Sequence, residues 1–168
     1  MKDDVHPAAL DSEQLLAHCD QRFTRRSGPG GQNRNKVETA VILTHKPSGL
    51  CAEANERRSQ SENREQAMFR LRLLLALEVR RPVTDTPSIL WQSRCRGGKI
   101  AINPSHLDFP SLLAEALDQL SVKDDDAKAA AESLKCSTTQ FLNLLRDEPR
   151  ALLVINARRA QRGLHSYR

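Results

Sequence analysis

Apolar positions first alternate and then recur every three to four residues, and that change of period divides the chain. Asp11 to His18 reads as a short helix and Cys19 to Arg25 as a strand. From Val37 the period is two. Val37, Thr39, Val41 and Leu43 alternate with Glu38, Ala40, Ile42 and Thr44, and the β-branched majority predicts a strand. Lys46-Pro47-Ser48-Gly49 places Pro and Gly where a type I turn favours them. Leu50, Ala52 and Ala54 resume the alternation, so a hairpin is expected. Ser59-Gln60-Ser61-Glu62 is a capping box, its hydroxyl and carboxylate able to satisfy free amides at a helix start. The helix it opens should reach about Arg80 and stop before Pro82, because the residue preceding a proline resists the α conformation. Met68, Leu71, Leu75 and Val79 form its apolar stripe, predicted to face the hairpin.

Residues 82–98 are punctuated by Pro, Ser and Gly and read as a connection, with Lys99 to Asn103 a short strand. Helix formers then take over. Phe109 to Leu120 is amphipathic, Lys128 to Leu134 is alanine-rich, and Ser137-Thr138-Thr139-Gln140 caps a helix through Leu145. Pro149 opens a last helix and Gly163 closes it. Residues 127–145 have a helix-turn-helix rhythm, but short turns are routine between packed helices, and a three- or four-helix packing unit is the reading adopted. The fold class is α+β: a small mixed or antiparallel sheet with a long packed helix, followed by a C-terminal helical unit. The expected division is 1–104, with its core at 19–80, and 105–168.

The 168 residues are 39% hydrophobic with one Trp, one Tyr and four Phe, so the core must be mostly aliphatic. No apolar run approaches the roughly 18 residues that span a bilayer, and Met1-Lys2-Asp3-Asp4 lacks the apolar region of a signal peptide. A soluble, cytoplasmic protein without membrane contact is expected. Cys19, Cys51, Cys95 and Cys136 are scattered and include no C-x-x-C pair, which argues against zinc and disulfides and for reduced, mostly buried thiols. The five histidines show no ligand spacing, so neither metal nor cofactor is expected.

The net charge of +5 is unevenly distributed: residues 1–104 hold 17 Lys and Arg against 12 Asp and Glu, whereas residues 105–168 hold 9 against 9. From Arg22 to Lys36 there are five basic residues and no acidic one. That stretch suits a phosphate-rich partner or, equally, a solvated basic face. It contains Ser27-Gly28-Pro29-Gly30-Gly31-Gln32. Without a Cβ, Gly28, Gly30 and Gly31 let the backbone take positive φ and approach another molecule closely. Gln32 is a neutral donor and acceptor that cannot act as a general acid or base. Chemistry here must come from positioning and hydrogen bonding inside a site supplied largely by something else.

Gly-Gly-Gln alone arises by chance in roughly a few per cent of chains this long. Its surroundings are more specific. Phe23-Thr24-Arg25-Arg26, the loop Ser27 to Gln32, Asn33, Asn35-Lys36-Val37, the hairpin through His45, Pro47, Ser48 and Gly49, and Glu56-Arg57-Arg58-Ser59-Gln60 with Asn63 follow in order. This stretch, from about Phe23 to Leu77, resembles the catalytic domain of class I peptide chain release factors and of relatives that rescue stalled ribosomes. The resemblance implies ribosome-dependent hydrolysis of the peptidyl-tRNA ester, with Gly30, Gly31 and Gln32 entering the peptidyl transferase centre. The partners it implies are large-subunit rRNA and P-site peptidyl-tRNA. An amide at Gln32 can stabilise developing oxygen charge while its side chain orients a water. Arg25, Arg26, Arg34 and Lys36 are assigned to RNA backbone contacts. Ser27, Gly28, Asn35, Arg58, Ser59 and Gln60 are assigned to support of the loop; for Arg58, Ser59, Gln60 and Asn63 bracing is favoured over a direct part in function.

Two departures from the family pattern matter. Arg34 stands where the family usually carries an apolar residue, commonly Val. The family's codon-reading domains have no counterpart in residues 105–168, which points to codon-independent rescue. Rescue relatives often end in a densely basic, flexible tail; here only Arg158, Arg159, Arg162 and Arg168 form a short basic end, and an unidentified helper could bind the C-terminal helices. The competing readings are a non-catalytic ribosome or RNA-binding module on the same scaffold, and a helical C-terminal unit that binds DNA or protein.

Overall fold

The computed structural model describes residues 5–25, 38–84 and 86–168. Packing groups residues 7–75 into one unit and residues 5–6 with 76–168 into another. In the first unit, helix α1 (Ser12–Ala17) is followed by strands β1 (Cys19–Thr24), β2 (Ala40–His45) and β3 (Cys51–Ala54) and by the long helix α2 (Gln60–Glu78), whose last turn is counted with the second. Asp11 caps α1, its carboxylate accepting from the Gln14 amide at 2.8 Å.

The strands form an antiparallel sheet in the order β1-β2-β3, with Thr24 opposite Ala40 and Val41 opposite Ala54. Strand alternation puts Val41, Leu43, Ala52 and Ala54 on one face, and all four are buried. Ala67, Met68, Leu71 and Leu75 of α2 are buried with them, whereas Val79 is half-buried. Arg70 ties helix to sheet, Nη1 donating to the Glu53 carbonyl at 2.7 Å. The β2–β3 turn closes with the Gly49 amide donating to the His45 carbonyl at 2.8 Å. Gly49 has φ +71°, a left-handed geometry that explains why the turn ends on glycine.

The second unit contains α3 (Ile89–Arg94), the two-stranded hairpin β4 (Cys95–Arg96) and β5 (Lys99–Ile100), and helices α4 (Phe109–Val122), α5 (Ala127–Ser133), α6 (Thr138–Arg146) and α7 (Pro149–Gln161). Residues 82–98 are therefore not only a connection. Ser88 caps α3 by accepting from the Trp91 amide at 3.0 Å, and Trp91 is buried with its Nε1 donating to the Leu134 carbonyl at 2.8 Å. β5 is shorter than the predicted Lys99–Asn103. Consecutive helices α4 to α7 are neighbours, and Phe109, Leu113, Leu117, Leu134, Phe141, Leu145 and Ile155 are among their buried side chains.

Buried charge in this unit is paired. Arg80 Nη1 donates to Asp118 Oδ1 at 3.1 Å, and the Arg81 amide donates to the same oxygen at 3.1 Å. Burial pushes the Asp118 carboxyl up, countered by these two donors. Three of the four arginines of the short basic end, Arg158, Arg159 and Arg162, are also engaged. Arg158 meets Asp125 at 2.5 Å, Arg162 meets Asp124 at 3.2 Å, and Arg159 donates to the Asp125 carbonyl. The charge-balanced composition of residues 105–168 reflects these pairs. The thiols likewise differ from expectation: all four are free, but Cys51 is exposed and Cys19, Cys95 and Cys136 are only half-buried.

Candidate functional site

Residues 25–39 connect β1 to β2. The strand ends that they join are antiparallel neighbours, because Thr24 pairs with Ala40. Ser27, Gly28, Gly30, Gly31, Gln32, Arg26, Arg34, Asn35 and Lys36 lie outside the described residues, as does Val37. The two stems are described. Arg25 Nε lies 3.5 Å from Glu38 Oε1, with both side chains more than half exposed, so the pair adds little stability by itself.

The second stem is held from α2. Gln60 Nε2 donates to the Glu38 carbonyl at 2.9 Å. Asn63 Nδ2 donates to the Thr39 carbonyl at 2.8 Å and to the Arg57 carbonyl at 3.0 Å, while its Oδ1 accepts from the Arg57 amide at 2.9 Å. Ser59 is half-buried at the helix start; its Oγ accepts from the Glu62 amide at 3.4 Å, a long bond, so its capping is weak. Arg57 and Arg58 are exposed, as is Arg64.

Arg70 also reaches this region, its Nη2 donating to Glu56 Oε1 at 2.6 Å. That hydrogen bond holds the Glu56 carboxyl below the usual carboxylate range. Neither Arg70 nor the carbonyls of Glu38 and Thr39 were singled out from the sequence. The available signal was the spacing of Gln60 and Asn63, which puts them on adjacent turns of one helix. The described stems and α2 carry ion-paired arginines, Arg25 with Glu38 and Arg70 with Glu56, together with side-chain amides bonded to backbone. Among the described residues no group of three or more His, Cys, Asp or Glu side chains is placed to hold a metal.

Residues 16–89, which include β1, β2, β3 and α2, match the family described as the RF-1 domain. The chain is 60% identical over 70 residues to peptide chain release factor 1 of Chloroherpeton thalassium, covering 40% of this chain and 20% of that protein. It is 60% identical over 48 residues to peptide chain release factor 1 of Chlorobaculum tepidum, covering 29% of this chain and 13% of that protein. A longer similarity, 33% identity over 124 residues, joins it to peptide chain release factor 2 of Aromatoleum aromaticum, covering 71% of this chain and 31% of that protein. The chain thus spans less than a third of the length of each of these relatives. No described helix is long and apolar enough to cross a membrane.

Proposed function

We propose that this chain promotes hydrolysis of the peptidyl-tRNA ester on the ribosome, without reading a codon. The observation that carries the reading is the origin of the segment containing Gly30-Gly31-Gln32. It leaves from paired neighbours Thr24 and Ala40, its second stem is bonded to α2, and the match to the RF-1 domain spans both. In this reading Gly30 and Gly31 allow close approach to RNA, the Gln32 amide stabilises developing oxygen charge, and its side chain orients a water. Arg25, Arg26, Arg34 and Lys36 contact the rRNA or tRNA backbone. Ser27, Gly28, Asn35, Arg58, Ser59 and Gln60 support the loop.

Codon independence is the finer part of the proposal. After the matched region the described chain continues as helices α4 to α7 with their own apolar core. The test is peptide release from ribosomes carrying peptidyl-tRNA, with the A site empty or holding a stop codon, and from large subunits alone. Release that does not require a stop codon and is lost in Gln32→Ala is the expected result. Binding without release would select a non-catalytic module, and release unaffected by Gln32→Ala would sink the mechanism.

A further inference from the structure

Asn63 is the fourth residue of α2 and is fully buried, with all of its amide directed at backbone. Two N–H donors serve the carbonyls of Thr39 and Arg57, and one oxygen accepts from the Arg57 amide. Only a carboxamide offers that set. A carboxylate of the same shape would turn negative charge toward two carbonyls, and an aliphatic side chain would leave three backbone groups without these partners. Thr39 and Glu38 lie outside the ladder of β2, which begins at Ala40. Their carbonyls are instead held by Asn63 and Gln60, at 2.8 and 2.9 Å. The backbone at Glu38 and Thr39, just before β2, is therefore held by α2.

We propose that Asn63, assisted by Gln60, is a positioning residue that acts by fixing the Glu38–Thr39 stem of the segment containing Gln32; this rests on the reading of the chain as a peptidyl-tRNA hydrolase. A loop that acts through hydrogen bonds to a reacting ester depends on placement, and a misplacement of about 1 Å costs about 100-fold in rate. Binding to RNA through the exposed arginines does not depend on that placement to the same degree. The two effects separate in kinetics.

The test is single-turnover peptide release measured against protein concentration, together with circular dichroism and thermal unfolding of each variant. Asn63→Ala is expected to lower the saturating rate by about 10- to 100-fold with less than about a 3-fold change in half-saturating concentration, and Gln60→Ala to lower it by about 3- to 10-fold. Leu75→Ala, which removes buried apolar volume in the same unit, is expected to lower the unfolding midpoint and leave the saturating rate near wild type wherever it is folded. If folded Asn63→Ala and Gln60→Ala release at the wild-type rate, or change only the half-saturating concentration, the inference is overturned. Should Asn63→Ala fail to fold, Gln60→Ala decides, since Gln60 is exposed and outside the core. An equal loss of rate in folded Leu75→Ala would reduce the effect to general destabilisation and also overturn it. An inactive wild-type protein defeats the functional reading itself, which distinguishes that failure from this one.

Discussion

The Arg159 guanidinium carbon lies 3.9 Å from the centroid of the Tyr167 ring, which fastens the end of the chain to the turn between α4 and α5. The Tyr167 hydroxyl donates to the Asp125 carbonyl at 2.8 Å and accepts from the Ala127 amide at 2.8 Å. Asn156 holds the Tyr167 backbone from both sides, donating to its carbonyl at 2.9 Å and accepting from its amide at 2.8 Å. Asp124 and Asp125 have φ of 54° and 61°, a left-handed pair that side chains disfavour and that these bonds help to retain.

Tyr167→Phe keeps the ring beneath Arg159 and removes the hydroxyl, leaving the Ala127 amide without that partner. The expected cost is about 1–3 kcal/mol, read as a fall of several degrees in the thermal midpoint. Tyr167→Ala should lose roughly a further 0.5–2 kcal/mol with the cation–π contact. An unchanged midpoint in both variants would mean that the tail contributes nothing to the turn.

Trp91 supplies a second test of packing in the same unit. It is 1% exposed, and its Nε1 donates to the Leu134 carbonyl at 2.8 Å. Trp91→Phe loses that bond and part of the ring volume, so about 2–4 kcal/mol of destabilisation is expected in denaturant unfolding followed by circular dichroism. In the wild type the single tryptophan should emit in the blue and shift to the red at the same denaturant midpoint. A red-shifted native emission would contradict its burial.

These residues also show what the sequence could and could not disclose. The hairpin and α2 were legible because period-two alternation in Val41 and Leu43 and the stripe of Met68, Leu71 and Leu75 are local patterns produced by burial on one face. Helix α3 was not legible: six residues give too few turns to show a period, and Pro87-Ser88 reads as loop although Ser88 is a cap. Charge counts do not show which groups pair: Arg158 and Arg162 of the short basic end meet Asp125 and Asp124, more than thirty residues away. Asn63 could be named from its motif, but its two carbonyl partners come from a segment 24 residues upstream and from Arg57, which only the tertiary fold brings together.

His6 links stability to pH. It is buried, its Nε2 donates to the Val79 carbonyl at 3.1 Å, and burial, with Arg80 and Arg81 nearby, lowers its pKa from 6.5 to about 4. The unfolded chain then binds a proton below about pH 6.5 that the folded chain refuses until about pH 4. Stability is complete above that window and falls as pH drops through it, by at most about 3 kcal/mol. Unfolding midpoints measured from pH 7.5 to 4.5 should show this slope, and His6→Gln should flatten it. An identical slope in the variant would assign the acid sensitivity to other groups.

Cysteine reactivity tests the corrected view of the thiols. The thiolate is the nucleophile, so labelling needs both access and ionisation. Cys51 is exposed at the start of β3, whereas Cys136 is half-buried, and burial first, then the neighbouring Cys95, pushes its thiol up to about 12. At pH 7.5 a thiol of that pKa is almost entirely protonated and therefore a poor nucleophile. A short exposure to N-ethylmaleimide, quenched and mapped by peptide mass spectrometry, should therefore label Cys51 first and Cys136 last, with Cys19 and Cys95, both raised by burial, between them. Addition of denaturant should erase the order, because access and ionisation both become uniform. Cys136 modified as fast as Cys51 in the native protein would show that the turn between α5 and α6 opens on the labelling timescale, and would count against the packing of the β4–β5 hairpin there, where the Ser137 amide donates to the Gly98 carbonyl at 3.0 Å.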